Sequence, residues 1–326
     1  MKKRGLIDLH LHLDGSLSLA SVRELAAIQK IPVPAEDREL LQTLQVGPDC
    51  RDLNEYLEKF AFPCSLMQTP AAITKAVSNL CHELAAQGLL YAEIRFAPQF
   101  HTNQGLTQAQ VVQAAVAGLD PQVFRANLIL CCMRGQGNHA ENLETVEVAA
   151  QFLGKGVCAV DLAGAEALFP TEDFVDLFQL AAEKGVPYTI HAGEACGPDS
   201  VWTALGCATR RLGHGVRSTE DAALLHRLAA DSITLELCPT SNLNTSIFEK
   251  LADYPLLQLM EAGIPVTVNT DNMMVSGVTL ESEMEKLEKT FSLTDEHFKT
   301  LARNAVSASF AAEDDKAWML AKIEEM

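Results

Sequence analysis

Two histidines near the start of the chain could hold a metal ion. His10 and His12 lie in the segment 8–15, at the end of an apolar run. Because side chains alternate between the two faces of a β-strand, the two imidazoles point the same way and the leucines around them point the other way. Two neighbouring imidazole nitrogens can bind one ion. Taken alone, the motif fits a solvated or core histidine pair equally well.

Charged or imidazole groups also end other apolar runs farther along the chain. The groups are Asp161, His191, Glu194, His214 and Asp271. Gly164 and Asn272 lie beside two of them at the ends of the same runs. A single aspartate at such a place is often only the N-cap of the next helix, and a histidine between two glycines can be a turn residue. Together with the run that ends in His10 and His12, five separate runs end in this way, which is hard to explain by accident.

The elements that carry these groups are short β-like runs that alternate with amphipathic helical stretches. The runs span 6–13, 89–96, 126–133, 157–162, 187–191, 211–215, 233–238 and 265–271. The helical stretches span 17–30, 70–87, 107–118, 139–153, 171–184, 198–207, 218–230 and 279–290. This alternation predicts an α/β fold, a (β/α)8 TIM barrel that forms a single domain over residues 1–326. An open doubly wound sheet is the alternative, but no GxGxxG follows the first run.

In a TIM barrel the carboxyl ends of all strands converge on one mouth. Three histidines and one aspartate gathered there would make a site for a first-row metal ion, with zinc as the leading candidate. Residues 31–69 are the one long insertion, and in a barrel they would lie above this mouth. We predict that they form a lid, with a plain surface excursion as the alternative.

Two further groups of residues are interpreted structurally. The C-terminal helical stretch, about 294–324, is expected to pack on the barrel flank, with an interface as the alternative. The other histidines are expected to be solvated or to cap helices, and His101, just past the second strand, is the least typical of them. They are His82, His101, His139, His226 and His297.

Composition narrows the class of partner. Acidic residues outnumber basic ones by 43 to 25, for a formal net charge of -18. This charge disfavours nucleic acids and anionic membrane surfaces, and a small neutral or cationic substrate fits better.

The nine cysteines form no CxxC pair, which favours reduced thiols and a cytoplasmic location. The basic residues 1–4 precede a run broken by Asp8 and His10, so we expect no signal peptide, and no apolar stretch has the ~18 residues of a membrane span. Oligomeric state does not follow from the sequence.

The sequence resembles the adenosine deaminase family, within the metal-dependent amidohydrolase superfamily, over nearly its whole length. The matching motifs are HLHLDG at 10–15, DLAG at 161–164, HAGE at 191–194, LGHG at 212–215, CPTSN at 238–242 and NTD at 269–271. Any one of them is weak evidence, but HxHxDG, HAGE and GHG in this order form a highly specific signature.

The resemblance implies a role for each matching residue. The zinc ligands would be His10, His12, His191 and Asp271. Glu194 would donate a proton to the purine nitrogen N1, and His214 would orient the attacking water, with Asp271 accepting a hydrogen bond from it. His12 and Asp14 would face the substrate, with Asp14 on the ribose, and the Gly164 amide would reach N3. The family commonly has a second aspartate where this chain has Asn272, and an amide donor can still serve the acceptor N7.

The implied activity is zinc-dependent hydrolysis of adenosine, and of 2′-deoxyadenosine, to inosine and ammonia in purine salvage. The alternative is a deaminase of free adenine or of a modified adenine nucleoside or nucleotide. Relatives that act on adenine tend to carry Glu at the position of Asp14, so Asp14 favours the nucleoside. A barrel that only binds nucleosides or a protein partner is a third hypothesis, and the complete set of ligands, acid and base argues against it.

Overall fold

Parallel strands form the centre of the part of the chain, residues 5–325, that this computed structural model describes. They are β1 (Ile7–His12), β2 (Tyr91–Phe96), β3 (Ala126–Met133), β4 (Val157–Ala163), β5 (Ile190–Ala192), β6 (Arg211–His214), β7 (Thr234–Leu237) and β8 (Val266–Val268). Each predicted run therefore overlaps a strand, with ends that differ by three residues or fewer. The basic residues 1–4 lie outside the described residues.

The strands close into a barrel. They form two four-stranded parallel sheets, ordered β1-β2-β3-β4 and β5-β6-β7-β8. A parallel bridge between Val160 and Tyr188 joins β4 to the segment before β5, and another joins Leu11 to Asp271 after β8. At the second seam the His12 amide donates to the Asp271 carbonyl at 2.7 Å. The predicted (β/α)8 barrel is confirmed.

Helices surround the strands. They are α1 (Leu19–Gln29), α2 (Asp37–Leu44), α3 (Leu53–Leu57), α4 (Ala61–Leu66), α5 (Pro70–Ala86), α6 (Gln108–Val116), α7 (His139–Phe152), α8 (Val175–Glu183), α9 (Pro198–Gly206), α10 (Ala222–Ala230), α11 (Pro239–Asn244), α12 (Leu256–Glu261), α13 (Met273–Ser276), α14 (Leu280–Phe291), α15 (Asp295–Ala308) and α16 (Glu313–Glu324). Every predicted helix is present, and those that the pattern missed, such as α11 and α13, are short.

The helix α5 illustrates how local sequence sets these elements. The Thr69 hydroxyl accepts from the Ala72 amide as N-cap, and Pro70 occupies the first turn, where its missing N–H costs nothing. Ile73, Val77 and further apolar residues at helical spacing are buried against the barrel. The cap fixes the start of the helix, and the apolar stripe fixes its orientation.

The insertion and the C-terminal helices lie where they were expected. The insertion supplies α2, α3 and α4, joined by a 3-10 turn at Glu58–Phe60, and it covers the C-terminal ends of the strands. The Tyr56 hydroxyl on α3 lies 2.7 Å from the Ser276 hydroxyl on α13, which ties the insertion to the barrel. Helices α15 and α16 pack on β1 and β2 through a buried cluster that includes Ile7, Leu9 and Met319.

The histidines outside the strand ends divide into two groups. As predicted, His82, His139 and His226 are exposed, and His297 accepts from the Thr294 amide at the start of α15. The expectation for His101 is wrong, because its side chain is buried and its Nδ1 donates to the Met67 carbonyl at 3.0 Å. Within residues 5–325 no helix combines the length and the hydrophobicity that a membrane span requires.

Candidate active site

The predicted site residues meet in one cavity at the mouth of the barrel. It has a volume of about 290 Å³, close to the lower end of the range for small-ligand pockets. Its lining includes His12, Asp14, Gly164, His191, Glu194, His214, Asp271 and Asn272, all of them predicted from the sequence. His10 lies at the cavity floor, with its ring centroid 4.5 Å from that of His191 and 4.9 Å from that of His214. The convergence of the strand ends is confirmed.

Nitrogen and oxygen donors crowd together on this floor. The Asp271 Oδ1 atom lies 3.4 Å from His10 Nε2 and 3.5 Å from His12 Nε2. His12 Nε2 lies 3.4 Å from His191 Nε2. Two ligands at about 2.0–2.1 Å from one tetrahedral zinc ion are themselves about 3.3 Å apart. These three distances match the separation of two ligands of one tetrahedral metal ion.

His214 is a fifth donor near the same point. Its nitrogen and the donors of His10, His191 and Asp271 all lie within 4.8 Å of one another. The hydrogen bonds at the far side of each ring distinguish the histidines. His10 Nδ1 donates to Glu236 at 2.7 Å and His191 Nδ1 donates to Asp161 at 2.9 Å, which leaves both Nε2 lone pairs for an ion.

His214 has the opposite arrangement. Its Nδ1 accepts from the Asn242 side-chain amide at 3.1 Å, and the Asn242 oxygen in turn accepts from the Tyr254 hydroxyl at 3.0 Å. A neutral imidazole that accepts at Nδ1 carries its hydrogen on Nε2. His214 therefore presents a donor to the cavity, which suits an oxygen atom of a ligand better than a cation.

Two of these residues have a strained backbone. His214 and Asp271 both adopt φ 60°, the left-handed region that non-glycine residues seldom occupy. Such residues cost about 1–3 kcal/mol each and concentrate at functional sites. His214 is the last residue of β6 and Asp271 lies three residues after β8, and at each place the turn directs the side chain into the mouth.

Below the histidines lies a buried network of charges that runs across the barrel. Arg95 donates to Asp161 at 2.8 Å and to Glu236 at 2.9 Å, and both arginine and carboxylates are fully buried. Arg211 pairs with Glu93 and with the second oxygen of Glu236. Burial alone would raise the pKa of Glu236, but Arg211 and Arg95 outweigh it and hold that pKa well below its usual range.

The charge balance of this network favours a cation above it. The guanidinium groups of Arg95 and Arg211 face three carboxylates, those of Glu93, Asp161 and Glu236. Asp271 adds a fourth carboxylate beside the histidines. Buried negative charge without a counter-charge is costly. The donor set, the free Nε2 of His10 and the excess of carboxylates all fit a divalent metal ion.

Glu194 is a buried carboxyl group whose pKa is raised. It is buried, its Oε2 lies 3.6 Å from His214 Nε2, and its Oε1 has no hydrogen-bond partner. Burial, then Asp271 and then Glu166 raise its pKa well above the ordinary value, and Arg134 offsets this only in part. A carboxyl group that keeps its proton at neutral pH can donate it to a ring nitrogen.

Two more polar atoms in the cavity also have no partner. Asp14 accepts from the Cys64 thiol at 3.4 Å through Oδ2, its Oδ1 is free, and burial raises its pKa to about 6. The Asn272 Oδ1 is likewise free and sits against Gly15, where a Cβ atom would lie 1.8 Å away. A ligand is expected to satisfy an unpaired buried polar atom that faces the pocket, such as the Asp14 Oδ1, whereas the Asn272 oxygen packs against Gly15.

Sequence reasoning missed the residues that hold these side chains. Arg95, Glu236, Asn242 and Glu166 are all buried, and none of them was predicted to contribute to the site. The sequence did carry a signal for Arg95 on β2 and Glu236 on β7, because a charged side chain in the middle of a strand that is buried on both faces must have a partner. Asn242 lies in the CPTSN motif, but nothing local indicates that it contacts His214. Glu166 lies in a loop and carries no such signal.

The comparisons with known proteins agree with this geometry. A family model described as Adenosine deaminase matches residues 6–326. An adenosine deaminase of Haemophilus ducreyi is 47% identical over 330 residues, which cover 98% of this chain and 96% of the relative.

Solved structures give the same fold. An adenine deaminase from Arthrobacter aurescens is 29% identical with a TM-score of 0.89, and the match covers 98% of each chain. The N6-mAMP deaminase of Arabidopsis is 23% identical with a TM-score of 0.87, and the match covers 99% of each chain. At this lower identity the second likeness concerns the fold alone.

Proposed function

The chain belongs to the adenosine deaminase family, and on that basis we propose which of its residues bind the metal, the substrate and the transferred proton. It is an aminohydrolase that deaminates adenosine to inosine and ammonia. The proposal extends the substrates to 2′-deoxyadenosine and treats residues 1–326 as one catalytic domain. The observation that carries it is the convergence of His10, His12, His191 and Asp271 beneath a buried Glu194.

The metal is zinc, held by these three histidines and the aspartate. The 3.4–3.5 Å spacing of their donor atoms supports this set. The carboxylates behind His10 and His191 fix the ring orientation that a ligand needs. When bound, zinc supplies hydroxide as a nucleophile at neutral pH by lowering the pKa of water to about 7.

The protein's own residues control the water and the protons. His214, with its hydrogen on Nε2, donates to the attacking oxygen and orients it, while Asp271 accepts a hydrogen bond from the same water. Glu194 gives its proton to purine N1 as the oxygen adds to the neighbouring carbon. This breaks the aromaticity of the ring. The proton that the water gives up towards Asp271 passes to the amino group, the C–N bond breaks and ammonia leaves. The remaining hydroxyl proton returns to Glu194 as the new carbonyl forms. The insertion closes over the cavity as a lid and excludes bulk water, a role supported by Tyr56 and Phe60 in the cavity wall.

The remaining polar groups recognise the nucleoside. Asp14 accepts from a ribose hydroxyl through its free Oδ1, the Gly164 amide donates to N3, and the Asn272 amide donates to N7. His12 borders the substrate as well as the metal. Unlike a carboxylate, the amide of Asn272 is a donor without needing a proton from solvent.

A phosphorylated substrate fits the cavity poorly. The one arginine in its lining is Arg134, whose terminal nitrogens already donate to the Phe169 carbonyl, the Thr171 hydroxyl and the His191 carbonyl. A phosphate would thus find no free guanidinium fork. Free adenine is the second candidate, because the Arthrobacter structure of similar fold is an adenine deaminase.

The partner is a small purine nucleoside rather than nucleic acid, and the location is the cytoplasm. All nine cysteines of the chain are free thiols in the structure, which supports a reducing compartment. The net charge of -18 disfavours a polyphosphate partner.

The test is a side-by-side ultraviolet assay with adenosine and with adenine, with metal content measured on the same sample. We expect fast conversion of adenosine and one zinc per chain. Zinc with turnover of adenine alone would move the assignment to the free base. Full adenosine turnover by protein stripped of metal would refute the metal site.

A further inference from the structure

The loop after β4 carries a buried carboxylate that contacts no substrate-facing atom. Glu166 lies two residues after Gly164 and is 1% exposed. Its Oε1 accepts from the Gly193 amide at 2.7 Å, and its Oε2 accepts from the Glu194 amide at 3.1 Å and the Cys196 amide at 2.8 Å. The Ser200 hydroxyl adds a fourth hydrogen bond at 2.5 Å. One side chain therefore binds most of the polar backbone hydrogens of the loop after β5.

That loop is the one that presents the acid. Gly193 has φ 72°, so the chain turns sharply between β5 and Glu194. A tight turn leaves amide hydrogens that point inward and need acceptors. Hydrogen bonds to a carboxylate are about twice as strong as those to a neutral acceptor. The Cys196 thiol also donates to the Glu166 carbonyl at 3.5 Å, so the two loops are joined from both sides.

Glu166 is not half of a salt bridge. Among residues 5–325 no lysine, arginine or histidine nitrogen lies within 4.0 Å of its carboxylate, in contrast to Glu93, Asp161 and Glu236. Its hydrogen bonds come from neutral donors in the acid-bearing loop and on α9, and Arg134 acts on its charge only from beyond that distance. A carboxylate placed in this way serves the conformation of the loop that surrounds it.

We propose that Glu166 is a positioning residue, whose carboxylate holds the backbone of residues 193–196 in the turn that directs the Glu194 side chain into the cavity. It also couples this turn to the Gly164 segment, so the group that binds the base and the group that protonates it move together. This inference rests on the proposed role of Glu194. The charge of Glu166 acts in the same direction, because it adds to burial and Asp271 in raising the pKa of Glu194.

Glutamine cannot replace this side chain. Its one oxygen can accept from two of the four donors, and its NH2 group would face the other donors. The turn must then shift to relieve the clash of hydrogens. A misplacement of about 1 Å at a catalytic group can cost about 10²-fold in rate. We expect Glu166→Gln to lower kcat by roughly that factor and to leave the KM for adenosine little changed.

A double-mutant cycle tests whether Glu166 acts through Glu194. The kcat per metal-loaded chain is measured for wild type, Glu166→Gln, Glu194→Gln and the double variant. If Glu166 only positions the acid, its substitution costs nothing further once the acid is gone. Hydrogen exchange of the 193–196 amides, measured by mass spectrometry, should accelerate in both variants that carry Glu166→Gln, whether or not Glu194 is present.

Two controls separate positioning from general stability. Glu83→Gln changes a half-buried carboxyl that accepts from the Ser18 hydroxyl at 2.6 Å and does not line the cavity, and it should leave kcat unchanged. Ser200→Ala removes one donor and should give a smaller loss than Glu166→Gln. If Glu166→Gln yields no folded protein, Glu166→Asp, which keeps the charge on a shorter chain, carries the same cycle.

Each outcome decides one point. Normal kcat in Glu166→Gln would overturn the inference. So would a double variant whose fold-loss in kcat equals the product of the two single losses. Unchanged exchange at 193–196 would overturn it as well. Near-normal turnover by Glu194→Gln alone would instead remove the proposed acid, which is a separate failure. A non-multiplicative loss with faster exchange is the result that supports positioning.

Discussion

Glu236 is the residue whose substitution should affect both the stability of the barrel and its affinity for metal. It lies at the centre of the barrel on β7 and accepts from Arg95, Arg211, His10 and Thr189. Glu236→Gln keeps the shape of the side chain but removes its negative charge. Arg95 and Arg211 then lose the negative charge that they share, and the NH2 group of glutamine faces an N–H donor where the carboxylate oxygen accepted from one.

The size of the effect follows from these contacts. Removing one partner of a buried ion pair costs about 3–5 kcal/mol, because the remaining charge stays buried without compensation. At about 2 °C per kcal/mol for a large domain, the melting temperature should fall by roughly 6–10 °C. Loss of the carboxylate behind a metal-binding histidine typically lowers metal affinity about 10–100-fold. Both effects are expected here, since Glu236 contacts both arginines and His10.

Two measurements resolve these contributions. Denaturant unfolding in the presence of a chelator reports the stability of the protein without metal, and competition with a chromophoric chelator reports metal affinity. Glu83→Gln, whose carboxyl contacts only neutral groups nearby, is the matched control and should change neither. A Glu236→Gln variant within about 1 kcal/mol of wild type would refute the charge-network argument. Lower stability with unchanged metal affinity would refute the link to His10.

Two other predictions use single side chains. Burial lowers the pKa of His101 from 6.5 to about 4, so between these values the unfolded state binds a proton that the folded state does not. The contribution of His101 to stability should therefore fall by about 3 kcal/mol as the pH drops from 6.5 to 4, and His101→Gln, but not His82→Gln, should remove that component from the pH dependence of urea unfolding. Asp14→Ala should raise the KM for adenosine about 10–100-fold through loss of a charged hydrogen bond, with little change for adenine; an equal effect on both substrates would contradict the ribose contact.

Much of the fold and the floor of the site was predictable because both depend on local pattern. Apolar runs separated by amphipathic stretches predicted all eight strands, and barrel topology alone brings their carboxyl ends together. A residue such as His191 or Asp271, at the end of a run, must then face the mouth whatever the rest of the barrel looks like. The predicted site residues therefore converged without any knowledge of their contacts.

The partners of those residues could not be predicted in this way. His10 meets Glu236 across 226 positions of sequence, and His214 meets Asn242 across 28. Such pairs depend on strand register, on side-chain rotamers and on a short helix, α11, that has no periodic signal of its own. The burial of His101 likewise depends on where the insertion packs.

The groups at the mouth were predictable because strand periodicity and the parallel direction of the strands are local properties repeated eight times. How each group is tuned depends on contacts that form only in the folded chain. Whether an imidazole offers a lone pair or a hydrogen, and whether a carboxyl group keeps its proton, depends on neighbours a few ångströms away in space. Electrostatic and hydrogen-bond energies fall off over that distance, and sequence separation does not measure it.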